Sequence, residues 1–182
     1  MRYQQVIDAF PDTYFVQVGA GPEANQPDLQ HLHPELKGDN VINLVGKTDM
    51  RQLVRLMYHA YGCITGVSFA MHLAQAVEPK PVFDRASRAC VVIAGGREPV
   101  VWEAYTNHAY MHTCGILPCC DRGGCWKSRI IKREDGQEHD NSLCLFPVET
   151  SSGQTIPKCM DMITAEDVIR KVRDYISMGG VR

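Results

Sequence analysis

At 182 residues the chain has the length of one domain, with room for one elaborated insertion. Its 45% hydrophobic and 22% charged content is that of an ordinary globular chain, and a net charge of −2 gives no basic field for nucleic acid or anionic lipid. No apolar run approaches membrane-spanning length and Met1-Arg2-Tyr3-Gln4-Gln5 is not a signal peptide, so a cytoplasmic protein is the default expectation.

Tyr3, Val6, Ile7 and Phe10 fall at helical spacing before Pro11-Asp12 stops them. Tyr14 to Val18 reads as a strand ended by Gly19-Ala20-Gly21-Pro22-Glu23, and 24–40 as a proline-bearing loop. Val41 to Leu44 is a second strand. Asp49 with Gln52 then fits a capping box ahead of a helix whose apolar face is Met50, Leu53, Val54, Met57 and Tyr61.

The stretch from Cys63 to Val77 organises the rest. It predicts a short buried strand (Cys63, Ile64, Val67), a turn at Ser68 with that serine as N-cap, and a helix opening at once. Such a turn leaves backbone N–H groups and the positive end of a helix dipole at the carboxyl edge of a sheet, where α/β folds hold phosphate or carboxylate. His72 lies one helical turn after Ser68, so both can face one anion; a core helix with a satisfied histidine is the plainer alternative.

Pro79 to Arg88 reads as a polar connection. Ala89 to Ala94 is apolar on both faces, as a parallel sheet requires, and ends in Gly95-Gly96-Arg97-Glu98-Pro99. Residues 109–112 suit an edge strand. Thr164-Ala165-Glu166-Asp167 starts a last helix, striped by Val168, Ile169, Val172, Tyr175 and Ile176 and ended by Gly179-Gly180. Alternating strands and helices predict an open, mostly parallel sheet with helices on both faces. The expected organisation is a single α/β domain over 1–182, with a cysteine-rich insertion at 114–160 and a carboxyl-terminal helix at 164–178.

Gly19 to Ala24 formally matches the dinucleotide fingerprint G-x-G-x-x-A, but a proline-rich loop follows where the motif needs a helix. A turn that presents Glu23 at the sheet edge, or a plain surface turn, fits better. The loops Gly19–Glu23, Gly46–Asp49, Val67–His72 and Gly95–Pro99 fall at strand ends on one side of the predicted sheet and together suit a nucleotide-sugar cradle.

Residues 43–53 (Asn43-Leu44-Val45-Gly46-Lys47-Thr48-Asp49 onward), Gly66 to Ala74, and Ala94 to Pro99 with Trp102 resemble glycosyltransferase family 9, the ADP-heptose:lipopolysaccharide heptosyltransferases and their relatives. The resemblance implies the carboxyl-terminal, Rossmann-like donor-binding half of a two-domain GT-B fold. It places donor and phosphate contacts at Ser68, Phe69, His72, Gly19, Glu23, Thr48 and Gly95. Where the family's phosphate loop reads Asp-Thr/Ser-Gly, this chain has Val67 for the acid and Phe69 for the glycine. The family's acceptor-binding domain, and the strand and lysine loop that open its donor half, have no counterpart here. The resemblance therefore implies a domain that binds a nucleotide-sugar, partners an absent acceptor domain or another chain, and transfers no hexosyl or heptosyl group alone. No catalytic residue is assigned.

Six of the eight cysteines lie between Cys114 and Cys159, in a region with little periodicity. Glycines between Cys120 and Cys125 let a knuckle turn back, so a thiolate site for zinc or iron is the leading reading, with disulfides and free thiols as alternatives. The candidate ligands are Cys125, Cys144, Cys159 and one of Cys119 and Cys120, with Cys114 as a substitute. The resemblance extends to autotransporter heptosyltransferases with a cysteine-held iron finger, which puts iron beside zinc. Cys63 and Cys90 fall in predicted strands and read as core. His31, His33, His108 and His112 receive no role. A non-enzymatic, metal-stabilised interaction module built on the same fold is the second functional reading.

Overall fold

The apolar periodicity translates into α1 (Arg2–Asp8), β1 (Phe15–Gln17), β2 (Val41–Asn43), α2 (Met50–His59), β3 (Gly62–Gly66), α3 (Phe69–Ala76), β4 (Ala89–Gly95), α4 (Val100–Glu103) and β5 (His108–His112). An antiparallel hairpin of β6 (Pro147–Glu149) and β7 (Thr155–Pro157), then α5 (Lys158–Asp161) and α6 (Ala165–Met178), follow. The computed structural model describes residues 2–21, 34–83, 87–132, 142–151 and 153–178. Glu23, His31 and His33 lie outside the described residues.

The single open sheet expected from the sequence is divided. β1 and β2 form one parallel pair, β3, β4 and β5 a three-stranded parallel sheet, and β6 with β7 a separate hairpin. β4 is the only described strand with a parallel neighbour on each side: Cys63 faces Cys90, Ile64 faces Val91, and beyond them His108 faces Cys90 and Ala109 faces Val91.

Alternation along β4 fills two cores. Cys90 and Val92 pack with Met57 of α2 and Met71, Leu73 and Ala74 of α3. Val91 and Ile93 pack with Val6 of α1, with Ile163 just ahead of α6 and with Val168 in its first turn. Helices thus cover both faces, as the sequence predicts, and the separation of helices by face matches a doubly wound sheet.

Two caps follow the sequence. The Gln52 amide donates to Asp49 Oδ1 (2.7 Å) and the Asp49 amide to Gln52 Oε1 (2.8 Å). At α6 the Asp167 amide donates to Thr164 Oγ1 (3.2 Å) and the Thr164 amide to Asp167 Oδ2 (3.0 Å).

Two arginines tie the layers together, and periodicity does not reveal either. Arg88, 2% exposed, donates to the carbonyls of Ala60, Val77 (3.2 Å) and Glu78 (3.0 Å). Ala60 and Val77 are the C-caps of α2 and α3, so a buried cation sits where two helix dipoles are negative. Arg2 does the same at the far edge, donating to the carbonyls of Met160 (2.8 Å), Asp161 (2.8 Å) and Ile163 (3.0 Å) and to Asp161 Oδ1 (2.6 Å). The Lys158 and Arg2 hydrogen bonds hold the Asp161 carboxyl below the usual carboxylate range.

Replacing Arg88 with Met leaves buried carbonyls unpaired and should cost about 3 kcal/mol or more. Arg88→Lys should recover only part of this, because one ammonium cannot span all three acceptors. Urea midpoints for the two variants check it; equal stability of Arg88→Met and the parent would overturn the assignment.

Candidate functional site

β3 runs into α3 through Val67 and Ser68, as the sequence predicts. Ser68 holds the N-cap position in extended backbone (φ −160°, ψ 174°), yet its side chain makes no cap bond. Its Oγ instead pairs with Thr65 Oγ1 at 2.9 Å. Ser68 and Phe69 are both exposed, Phe69 at 53%, so no packed side chain closes the mouth of α3. Val67 packs against the core of Met57, Met71 and Val92, a place that suits an apolar side chain.

His72 is exposed but turned sideways. Its Nδ1 lies 2.8 Å from the Tyr105 hydroxyl and its Nε2 is 3.7 Å from Glu103 Oε2 at the end of α4. The structure therefore ties His72 to the α4 side of the edge, while Ser68 is tied to Thr65.

The other three described positions divide between the two parallel sheets. Gly19 follows β1, and the Gly46 amide of the loop after β2 donates to its carbonyl (2.9 Å). Thr48 is half-buried in that second loop, just ahead of the Asp49 cap. Gly95 ends β4 with φ +67°, a conformation that favours glycine. A Cβ built there would lie 2.7 Å from Met160 Sδ and 3.3 Å from Cys159 Sγ, so the missing side chain makes room for α5.

The cysteine-rich segment packs on that same turn. The Cys125 amide donates to Gly96 O (3.0 Å) and the Trp126 amide to Arg97 O (2.9 Å), with Trp126 against Trp102. A Cβ at Gly96 would lie 3.1 Å from Cys120 Sγ, and the Cys114 thiol donates to Glu98 O (3.1 Å). Burial raises the Cys119 thiol to about 11, with Cys120, Cys125 and Cys159 adding; burial likewise raises Cys159, with Cys125 and Cys144 adding. Both of these thiols are thus held neutral among neighbouring cysteines. Among the described residues, however, no group of three or more His, Cys, Asp or Glu side chains is placed to hold a metal ion. All eight cysteines are free, and Cys63 and Cys90 pair in the core as expected.

One polar group of residues received no role from the sequence. His108, 8% exposed, has no partner at either ring nitrogen, and the buried Tyr110 hydroxyl has none. Burial raises Tyr110 to about 12, with Glu103, Glu98 and Cys114 adding, and burial lowers His108, with His72 adding. Tyr105 stacks edge-on against both His72 (5.8 Å) and His108 (5.1 Å). The alternation His108, Tyr110, His112 along one strand was the available signal.

The small parallel sheets, with helices on both faces and glycine turns at strand ends, form an α/β structure compatible with a Rossmann-like fold. Residues 1–83 match the model of glycosyltransferase family 9 (heptosyltransferase), a span that runs from α1 through β3 and α3. The resemblance read from the sequence to that family holds over those residues. No curated protein matches the chain, and no solved structure does. No helix among the described residues is long and apolar enough to cross a membrane.

Because burial lowers the folded-state pKa of His108, protonation favours the unfolded chain. Its protonation takes no stability above about pH 6.5, and stability is lost as pH falls from there through the lowered folded value. His108→Phe should flatten that part of the stability–pH curve; denaturation at pH steps between about 7 and 5 reads the difference.

Proposed function

We propose that this chain is the donor-binding half of a glycosyltransferase, seating the diphosphate of a nucleotide-sugar of the ADP-heptose kind at the amino terminus of α3. The observation that carries this is the strand-to-helix turn at Ser68 and Phe69, exposed and uncapped by its own serine, inside the span that matches the heptosyltransferase family model. The turn offers backbone amides and a helix dipole to an anion. Gly19 and Thr48 fit as neighbours of the nucleoside, and the family resemblance adds Glu23. In the complete reaction the acceptor displaces the diphosphate at the anomeric carbon with inversion. The base comes from the acceptor domain, and the α3 amides stabilise the leaving diphosphate. The chain alone then binds donor and does not turn over.

Titration calorimetry with ADP and with an ADP-sugar tests this: saturable binding is expected, weakened about tenfold by Phe69→Pro, which removes one amide from the mouth at the first helical position, where proline fits the backbone. Thermal unfolding of the variant separates a lost contact from a lost fold. No heat with the parent at millimolar nucleotide would overturn the proposal.

A second reading has its own support. The Gly95–Gly96 turn, which the family resemblance assigns to the donor, is packed by Met160, Cys120 and Cys159. Its neighbours are thiols, soft donors that suit zinc or iron. On this reading Cys125, Cys144, Cys159 and Cys119 or Cys120 hold one structural ion, and the domain serves as a metal-stabilised interaction module. The bound ion would supply the positive charge that lets these thiols ionise together. Elemental analysis should find about one zinc or iron per chain, lost in a Cys125→Ser, Cys159→Ser double variant. Metal-free protein from cells supplied with both metals would overturn it.

A further inference from the structure

Arg88 carries a charge that its carbonyl acceptors do not balance. Its Nη atoms donate to Ala60, Val77 and Glu78, but its buried Nε–H has no acceptor. Among the described residues no carboxylate stands at ion-pair distance from it. A buried cation without an anion is costly. Burial lowers Arg88, and the groups that act against this are two thiols, Cys63 and Cys90.

The sheet sets those thiols side by side. Cys63 of β3 and Cys90 of β4 are register partners in a parallel ladder, and both belong to the face covered by α2 and α3. Adjacent strands run about 4.8 Å apart, inside the range of roughly 4.4–6.8 Å between Cα atoms that a disulfide spans. The Cys90 thiol donates a hydrogen bond to the Cys63 sulfur. That bond, with Arg88 adding, holds the Cys63 thiol below the usual range against the effect of burial. The same bond raises Cys90, with burial adding. Cys114, Cys119 and Cys159 are raised by burial instead. Access divides the pair as well. Cys90 is fully buried, whereas Cys63 is half-buried on a strand that, among the described residues, pairs on one edge only. Cys63 can meet a small solute from solvent, and Cys90 can meet only its neighbour.

We propose that Cys63 is a modification site: its thiolate, the counter-ion of Arg88, is oxidised by small peroxides and then captured by Cys90 as a disulfide joining β3 to β4. In the first step the Cys63 sulfur attacks one peroxide oxygen and the O–O bond breaks, giving a sulfenic acid on Cys63 and hydroxide, which takes a proton from solvent. In the second the Cys90 sulfur attacks the Cys63 sulfur. The S–S bond forms, the S–O bond breaks, and the leaving hydroxide departs with the Cys90 proton as water. The two thiols are oxidised together by two electrons and the peroxide is reduced to water. The inference stands whether or not a nucleotide binds at α3 or a metal binds the cysteine segment.

Peroxide treatment of the full, reduced chain at about pH 7, followed by tryptic mass mapping, tests it. Cleavage after Arg55, Arg85, Arg88 and Arg97 puts Cys63 and Cys90 on separate peptides with one cysteine each. With hydrogen peroxide, Cys63 should lose its free thiol about tenfold faster in the folded chain than in the urea-unfolded chain. The product should be the two peptides linked, each lacking its thiol hydrogen. Cys90→Ala should stop at a sulfenic acid on Cys63 that dimedone traps, and Cys63→Ala should leave Cys90 reduced. Thermal unfolding shows that both variants are folded, and the comparison of folded with unfolded parent needs no substitution. Equal rates for Cys63 in the folded and unfolded parent would overturn the proposal. So would a link from Cys63 to any cysteine other than Cys90.

Discussion

A strand inside a parallel sheet needs a neighbour on each edge and a helix on each face, and among the described strands β4 alone has a parallel neighbour on each side. Everything well packed in this protein is arranged around that strand. Its odd and even residues define two cores. The residue before it, Arg88, gathers the carboxyl ends of α2 and α3, and Gly95 at its end admits α5. Packing decays with distance from β4: β3 is half-buried, and β1 and β2 expose large apolar side chains.

The same constraint shapes the functional edge. Three turns leave the carboxyl ends of β3, β4 and β5, and they have different fates. The turn after β3 stays open at Ser68 and Phe69. The turn after β4 is filled by α5 and the cysteine segment. The chain after β5 passes directly into that segment, with the Thr113 amide on Gly95 O and Thr113 Oγ1 donating to Cys159 O. The edge is therefore half available to a ligand and half committed to internal packing. The glycines at 95 and 96 serve the second purpose: their missing side chains admit sulfur atoms, whatever else binds nearby.

Much of this was legible in the sequence because burial imposes a period. β4 and α6 announce themselves by apolar runs and stripes, and the caps at Asp49 and Thr164 by residue types that satisfy free amides. The short elements were not legible. α4, α5 and the β6–β7 hairpin span three or four residues each, too few for any periodicity to show, and they are placed by contacts distant in sequence. Arg88 was invisible for a different reason: an arginine in a polar linker reads as surface until three carbonyls converge on it. In the candidate site, the turn at Ser68 was legible because it depends on local geometry, and the orientation of its neighbours was obscure because it depends on long-range approach. His72 lies one turn from Ser68 in sequence, yet it is oriented by Tyr105, which only the β4–α4 connection brings near.

The division of the sheet also bears on how a site at this edge could be completed. In doubly wound folds the ligand crevice lies where the strand order reverses, between the two strands whose connections leave toward opposite faces. Here the residues proposed for the donor divide between two parallel groups of strands: Gly19 and Thr48 follow β1 and β2, and Ser68 and Phe69 follow β3. The mouth of α3 is uncapped for a local reason: Ser68 Oγ pairs with Thr65 Oγ1 and not with a helix amide, which leaves the first amides of α3 to another acceptor.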